Sequence, residues 1–344
     1  MKKISIIIGV LFLVIGTMGC AGRAQLLVTD STNTKEKQVN TIEEKQEKNE
    51  EQINGDKLKE NQKESENASK INVDPKEEIE VPFLMEVPPF EYYLSNKVKA
   101  EKHQPLVLTM NLESANQIID DDEWFWDNDL KLNTYDIPDE SYGYAGNLPS
   151  GIEIEYNGFK IVSAFYDSSF IYCVYGTDYS DGKLLQIYDN SSLNLLYFLD
   201  FSNYIYSPEY KENDYKFISQ AVKWASIKDN ILYIANSHIT YAKSSHYMNG
   251  YITAIDLSDK SILWRSEALV QNAANFLIEG DVIICGYGFT AESDYLYQLD
   301  ISTGKIIDTI KLKTAPSYII KKDNVLYVRT YNTNYEFKIN ELNR

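Results

Sequence analysis

Short runs of β-branched and aromatic residues, broken by Asp, Asn, Gly and Ser, dominate the chain beyond residue 82. Runs of this kind bounded by turn formers predict strands. They group in fours. The clearest group has strands near 222–227, 231–235, 251–257 and 261–265. Tight polar turns join the first strand to the second: Asp167-Ser168-Ser169, Lys228-Asp229-Asn230, Glu279-Gly280-Asp281 and Lys322-Asp323-Asn324. The third and fourth are joined as tightly, by Asn190-Ser191-Ser192, Ser258-Asp259-Lys260 and Ser302-Thr303-Gly304. Such turns only have to reverse a hairpin. The second and third strands are joined by longer stretches, 176–183, 236–250 and 286–294.

The group repeats over 159–201, 217–266 and 270–312, and 314–340 begins a further copy that ends before its fourth strand. Self-similarity at roughly 40–50 residues, built from short strands, predicts an all-β fold: a β-propeller of four-stranded antiparallel blades. Residues 83–344 have room for about five blades, with four to six admissible and an open, partial propeller as the alternative. A closing ring commonly borrows a strand from the other terminus, which removes an exposed edge. Residues 106–111 are the candidate donor, and 110–112 followed by 117–119 read as a worn copy of the third and fourth strands.

In an up-and-down blade the long connections all emerge on one rim, and function usually sits on loops placed by a rigid scaffold. The candidate binding rim comprises His238, Tyr241, Lys243, His246 and Tyr247 from one loop, and Tyr287, Phe289 and Glu292 from the next. Mixed aromatic and polar groups suit a ligand or peptide surface; the plain alternative is an exposed loop packed on its neighbour. His238 and His246 alone are too few to nominate a metal site. No Ser/His/Asp or Cys/His set has the spacing of a nucleophile and its base, so no catalytic residue is expected. Cys173 and Cys285 occupy the strand position that holds Ile234 and Val328 in other copies, which predicts small buried hydrophobes rather than a disulfide.

Composition changes before residue 83. Lys2 and Lys3 precede an apolar run over 4–15, too short for a comfortable membrane span, and Thr17-Met18-Gly19-Cys20 follows. This resembles a bacterial lipobox, which implies a signal peptide over 1–19 and lipidation of Cys20. Residues 20–82 contain no aromatic residue and are rich in Lys, Glu, Gln, Asn and Ser, which predicts a disordered charged linker. As a flexible coil it spans roughly 40–45 Å. All 27 tyrosines lie beyond it, in the expected propeller domain 83–344. The formal net charge of −18 falls mostly there too. That argues against nucleic acid and against lying flat on an anionic bilayer.

The pattern Tyr251, Ala254, Ile255, Asp256, Lys260, Trp264, repeated in part as Leu299, Asp300, Thr303, Gly304 and Lys305, resembles the PQQ-like (quinoprotein-like) propeller repeat, within the wider group of WD40 and YVTN-like propellers. The resemblance implies structural roles for Asp189, Asp256 and Asp300 in the turn between third and fourth strands, for Gly304 in that turn, and for Trp264 between blades. It covers quinoprotein dehydrogenases and non-catalytic lipoprotein propellers. The chain is short for the former's eight-bladed ring and lacks an adjacent cysteine pair, so the non-catalytic branch is expected. The run Asp120, Asp121, Asp122, Glu123, Trp124, Phe125, Trp126, Asp127, Asn128, Asp129 is a candidate Ca²⁺ site or sugar platform; the alternative is a solvated acidic insertion with its aromatics tucked into the fold.

Together these features predict an extracytoplasmic protein, lipid-anchored to a bacterial cell membrane, that binds a protein or peptide partner at the cell envelope. A carbohydrate or wall-polymer binder is the first alternative, and an enzyme with a central-channel site the second.

Overall fold

In the computed structural model the chain is described over residues 79–116, 120–178, 180–208 and 218–340. The expected signal peptide, Cys20, the linker up to residue 78 and the stretch 117–119 lie outside these residues.

Among the described residues four sheets follow one another along the chain, each built on four antiparallel strands. Sheet 1 comprises Phe159–Tyr166, Phe170–Gly176, Leu184–Asp189 and Leu195–Asp200, and sheet 2 comprises Ala221–Lys228, Ile231–Ser237, Tyr251–Asp256 and Ile262–Arg265. Sheet 3 comprises Leu277–Glu279, Val282–Tyr287, Tyr295–Asp300 and Ile306–Lys311. Sheet 4 takes Pro316–Lys322, Val325–Thr330 and Thr333–Asn340 from the C-terminal end and its fourth strand, Val107–Ala115, from far upstream. The arrangement is propeller-like.

The turns explain the regular spacing. Asp229 and Asn230 both have positive φ (52° and 61°), the two-residue reversal that matches strand twist. Between third and fourth strands, Leu193, Lys260 and Gly304 each stand four residues after an Asp and each have φ of 56–69°. Each donates its N–H to that Asp's carbonyl, at 2.9, 2.7 and 2.8 Å.

Alternate residues of each strand face opposite neighbours, so sheets 1, 2 and 3 are apolar on both sides. Leu232, Ile234 and Ile255 of sheet 2 pack on Val174, Leu185 and Leu199 of sheet 1. Ala235, Ile252 and Trp264 on the other side pack on Ile283, Cys285 and Leu299 of sheet 3. Ile284 and Leu296 then meet Ile319, Leu326 and Val328 of sheet 4. A fully buried side chain of this size contributes about 1.5–3 kcal/mol. Cys173 and Cys285 are buried free thiols, and burial pushes the Cys173 thiol up to about 12.

The N-terminal segment is a belt. Phe83–Leu84 pairs in parallel with the last strand of sheet 1, and Tyr93–Leu94 pairs with the last strand of sheet 2. The backbone N–H groups of His103 and Leu106 reach Asp300 Oδ2 (3.0 Å) and Gln298 Oε1 (2.7 Å) of sheet 3. The belt then becomes the closing strand of sheet 4, registering Val107 with Asn340. Residues 107–115 form one continuous strand, so 110–112 is not a third-strand remnant.

Four sheets are described, within the expected range of four to six blades, and residues 120–158 pack on the two outer sheets of the series. The helix Asp121–Asp127 lays Trp124 and Phe125 on Tyr318 of sheet 4, with ring centroids 6.4 and 5.1 Å away. Further along, Tyr135, Ile137 and Ile152 pack on Ile171, Cys173 and Tyr188 of sheet 1. Among the described residues, none of the four buried clusters joins sheet 4 directly to sheet 1.

Candidate functional site

The acidic run does not gather its carboxylates. Asp120 caps the helix by accepting from the Asp122 N–H at 2.9 Å. Asp121 pairs with Arg329 Nε at 2.5 Å, and Asp129 with Lys322 Nζ at 2.7 Å. Among the described residues no three His, Cys, Asp or Glu side chains converge on a point where a metal ion would sit. The tryptophans do not make a joint platform either. Trp124 is buried under Arg329, whereas Trp126 is 85 % exposed on the opposite side of the helix.

The two long rim loops do come together. They form an open cleft of about 530 Å³ between sheets 2 and 3. The first loop leaves Ile231–Ser237 and is held at its base by side chains. Asn249 Oδ1 accepts from the His238 N–H at 2.7 Å, closing the loop's two ends on each other. A short 3₁₀ turn, Ala242–Ser245, follows Tyr241, and two left-handed residues, His246 and Tyr247 (φ 52° and 67°), end it. That reversal swings Tyr247 back towards sheet 3. Gly250 (φ 70°) lies so close to this sheet that a Cβ would come 2.9 Å from both Gln271 O and the Tyr287 ring. The loop therefore rests on its neighbour by backbone contact.

The second loop is stapled to the first by Glu292. One oxygen, Oε1, accepts from the Ala242 N–H at 2.8 Å, and the other accepts from the Tyr287 hydroxyl at 2.7 Å. Burial and the Glu292 carboxylate together hold the Tyr287 phenol well above its ordinary range, so it stays a donor. Asn272 fixes the loop's start by bonding both the N–H and the carbonyl of Gly288 (3.1 and 2.7 Å).

Of the eight rim residues, Tyr241, Lys243, Tyr247, Tyr287 and Glu292 line the cleft. Phe289 stands edge-on to Tyr241, with centroids 5.1 Å apart. His246 is exposed but does not line the cleft. His238 is a buried strut. Its Nδ1 accepts from the Thr240 N–H at 3.3 Å, so its Nε2 carries the proton and faces Ser245 Oγ at 2.7 Å. Burial pulls its pKa down to about 4, leaving it neutral at pH 7.

Leu269, Tyr295 and Tyr297 were missed and, with Thr290, Ala291 and Ser293 of the second loop, complete the lining. Tyr295 and Tyr297 are alternate residues at the start of a third strand, on the face shared with Leu299, which packs against sheet 2. The available signal was this i, i+2 tyrosine pair directly after the 286–294 loop. Five tyrosines thus line one cleft. Tyr241 and Tyr247 remain 47 % and 57 % exposed.

The turn residues also have defined partners. Asp189 Oδ1 accepts from the Ser191 and Ser192 N–H groups (3.0 and 2.7 Å). Asp256 Oδ1 accepts from Ser258 N–H (2.8 Å), and Asp300 Oδ1 from Ser302 and Thr303 N–H (2.9 and 3.1 Å). Trp264 donates from Nε1 to the Ile301 carbonyl of the next sheet at 3.0 Å.

Among the described residues no helix is long and apolar enough to cross a membrane. No protein-family model and no curated protein matches the chain. Among solved structures the chain is similar to a computationally designed protein, Ika4, at 13 % identity over 56 % of this chain and 100 % of that one, with a TM-score of 0.36. It is similar to BamB from Moraxella catarrhalis at 12 % identity, over 57 % of this chain and 62 % of BamB, with a TM-score of 0.30. It is similar also to Sqt1 from Saccharomyces cerevisiae at 11 % identity, over 51 % of this chain and 42 % of Sqt1, with a TM-score of 0.32.

Proposed function

We propose that this chain is a lipid-anchored, extracytoplasmic β-propeller that docks a protein or peptide partner on its long-loop rim, in the tyrosine-lined cleft between sheets 2 and 3. The cleft carries the reading. Tyrosine supplies large, rigid, amphipathic contact area and is enriched where binding energy concentrates. Here five tyrosines surround one cleft, and its carboxylate is already engaged by two donors of the protein itself. Such a site offers contact area rather than a poised acid or base, so no catalytic role is assigned. Cys20 and the linker 20–82 place the rim clear of the membrane surface in this reading.

The test is photo-crosslinking in intact cells, with a photoreactive residue at Tyr241 or Tyr247 and, as control, at Lys260 on the opposite rim. The reading expects a discrete adduct from the first two positions and none from the third. Equal labelling from both rims, or from neither, refutes it. A second reading, carbohydrate or wall-polymer binding, draws on the same exposed rings, because tyrosine faces also stack on sugars. Saturable glycan binding that is lost on Tyr247→Ala, with no protein adduct, favours that reading.

A further inference from the structure

The crevice between sheets 1 and 2, one position back in the repeat from the tyrosine cleft, is built differently. Tyr251 and Thr253 stand where Tyr295 and Tyr297 stand in the next copy, five and three residues before Asp256 and Asp300 respectively. Thr253 registers with Arg265 across the sheet, and Tyr251 registers with Asn236. Cross-strand partners share a face. This is the face of Ile234 and Ile255, which pack on sheet 1. The loop end of that interface is therefore a row of Asn236, Thr253 and Arg265 above an apolar base.

Arg265 is fully buried, and none of Nε, Nη1 and Nη2 has a hydrogen-bond partner. Three aromatic rings surround it: Tyr251 at 3.9 Å from Cζ to ring centroid, Phe90 at 5.1 Å and Tyr204 at 5.3 Å. The Tyr204 hydroxyl, Thr253 Oγ1 and both side-chain polar atoms of Asn236 are also buried without partners. Phe90 belongs to the belt where it passes from sheet 1 to sheet 2, and its carbonyl accepts from the Tyr251 hydroxyl at 2.9 Å. The belt thus closes this crevice, whereas the equivalent one between sheets 2 and 3 is open.

A guanidinium keeps its charge under such burial. Its pKa falls only to about 10, and the groups acting on it are the Tyr204 and Tyr251 phenols rather than a carboxylate. Water can satisfy N–H groups but supplies no counter-charge, and an isolated charge in an apolar interior is strongly disfavoured. With a ring against its face, the guanidinium offers its edge. That edge is a planar fork of donors that matches a carboxylate bidentately. One cation calls for one negative charge, and full enclosure calls for a small molecule.

We propose that the crevice between sheets 1 and 2 binds a small monocarboxylate, held by the edge of Arg265 with the Tyr204 and Thr253 hydroxyls and the Asn236 amide beside it, under the Phe90 belt. The site is separate from the tyrosine cleft and stands or falls without it.

The test uses the full chain, dialysed into chloride and titrated with sodium acetate at constant ionic strength while thermal unfolding is followed. A ligand bound only by the folded state raises Tm saturably, by several degrees at a hundredfold excess over Kd. Arg265→Met removes the charge with similar volume, so it is expected to fold and to lose the response. Arg265→Lys keeps the charge without the fork and is expected to respond weakly. If Met does not fold, the Lys comparison decides. A carboxylate already held through purification appears instead as a stoichiometric organic acid released on denaturing wild type but not Arg265→Lys. Equal effects of acetate and chloride, equal responses of wild type and Arg265→Lys, or neither a saturable shift nor a released acid overturn the proposal.

Discussion

The indole of Trp264 lies against Gly304 of the next sheet so closely that a Cβ at 304 would fall 2.3 Å from Trp264 Cε3. Gly304 is also left-handed, with φ 69°. Trp264 Nε1 in turn bonds the Ile301 carbonyl in the same turn. One ring therefore locks sheet 2 to the turn of sheet 3 by packing and by a hydrogen bond.

Gly304→Ala should cost about 2–4 kcal/mol, combining overpacking with left-handed strain. Trp264→Ala should cost about 3–5 kcal/mol. The double variant is the informative one. Once the indole is gone, the added methyl meets no ring, and only the backbone strain of about 1–2 kcal/mol remains. Denaturant unfolding of all four proteins should show this sub-additivity. Strict additivity would mean that the two residues do not act on each other.

The repeat was legible because its turns are local. Asp189, Asp256 and Asp300 bond the N–H groups two or three residues on, and the reversal is completed four residues on at Leu193, Lys260 and Gly304. Chemistry within five residues leaves a pattern in sequence. The rim loops were legible as loops for the same reason, by their length. Arg265 was read only as the end of a strand, because the rings around it come from Phe90, Tyr204 and Tyr251, which sequence proximity does not unite. Residues 120–158 carry no copy of the repeat, and their packing on sheets 1 and 4 rests on contacts distant in sequence, Trp124 with Tyr318 and Ile152 with Ile171. Trp124 and Trp126, two residues apart on a helix, were bound to diverge, but the helix itself was not foreseen.

His238 should make stability pH-dependent in a defined window. Its pKa is about 4 folded and about 6.5 unfolded. Between these values the unfolded chain binds the extra proton, so stability rises with pH. The contribution is fully present above pH 6.5 and is lost as pH falls towards 4, by an amount on the order of 3 kcal/mol. Urea unfolding at half-unit pH steps should show this slope in wild type. His238→Asn should lower stability at pH 7 but flatten the curve between pH 4 and 6.5. A wild-type curve already flat there would place the imidazole in water.

Asp189 should act at lower pH. Hydrogen bonds from the Ser191 hydroxyl, then from the Ser192 N–H and hydroxyl, hold its carboxyl down at about 2, from 3.8. A depressed carboxyl contributes stability above its unfolded pKa and loses it as pH falls through the folded value. The window is therefore pH 4 to 2, clear of that of His238. The group is only half-buried, with its turn hydrogen bonds facing solvent, so the effect is small: Asp189→Ala should cost about 1 kcal/mol at pH 7, and its difference from wild type should shrink below pH 3. A difference unchanged down to pH 2 would assign the cost to backbone conformation rather than to the carboxylate.

Glu292 joins two loops that no strand pairing joins. Its two oxygens serve Ala242 N–H and the Tyr287 hydroxyl, so Glu292→Ala leaves a loop anchor and a largely buried phenol without their acceptor. Both bonds are to a charged group and are worth about 1.5–3 kcal/mol each where fully shielded, less at this partly exposed rim. The sheets beneath are held by their own ladders and clusters, so the loss should stay local. Hydrogen exchange of the Ala242 amide should accelerate by about ten- to a hundredfold, which corresponds to about 1.4–2.8 kcal/mol of local opening. Amides of the central strands Ile231–Ser237 and Val282–Tyr287 should keep their wild-type rates. Glu292→Gln retains one acceptor and should fall between. Uniform acceleration through both sheets would show that the clamp supports the fold itself, and unchanged exchange at Ala242 would show that the loops hold their places without it.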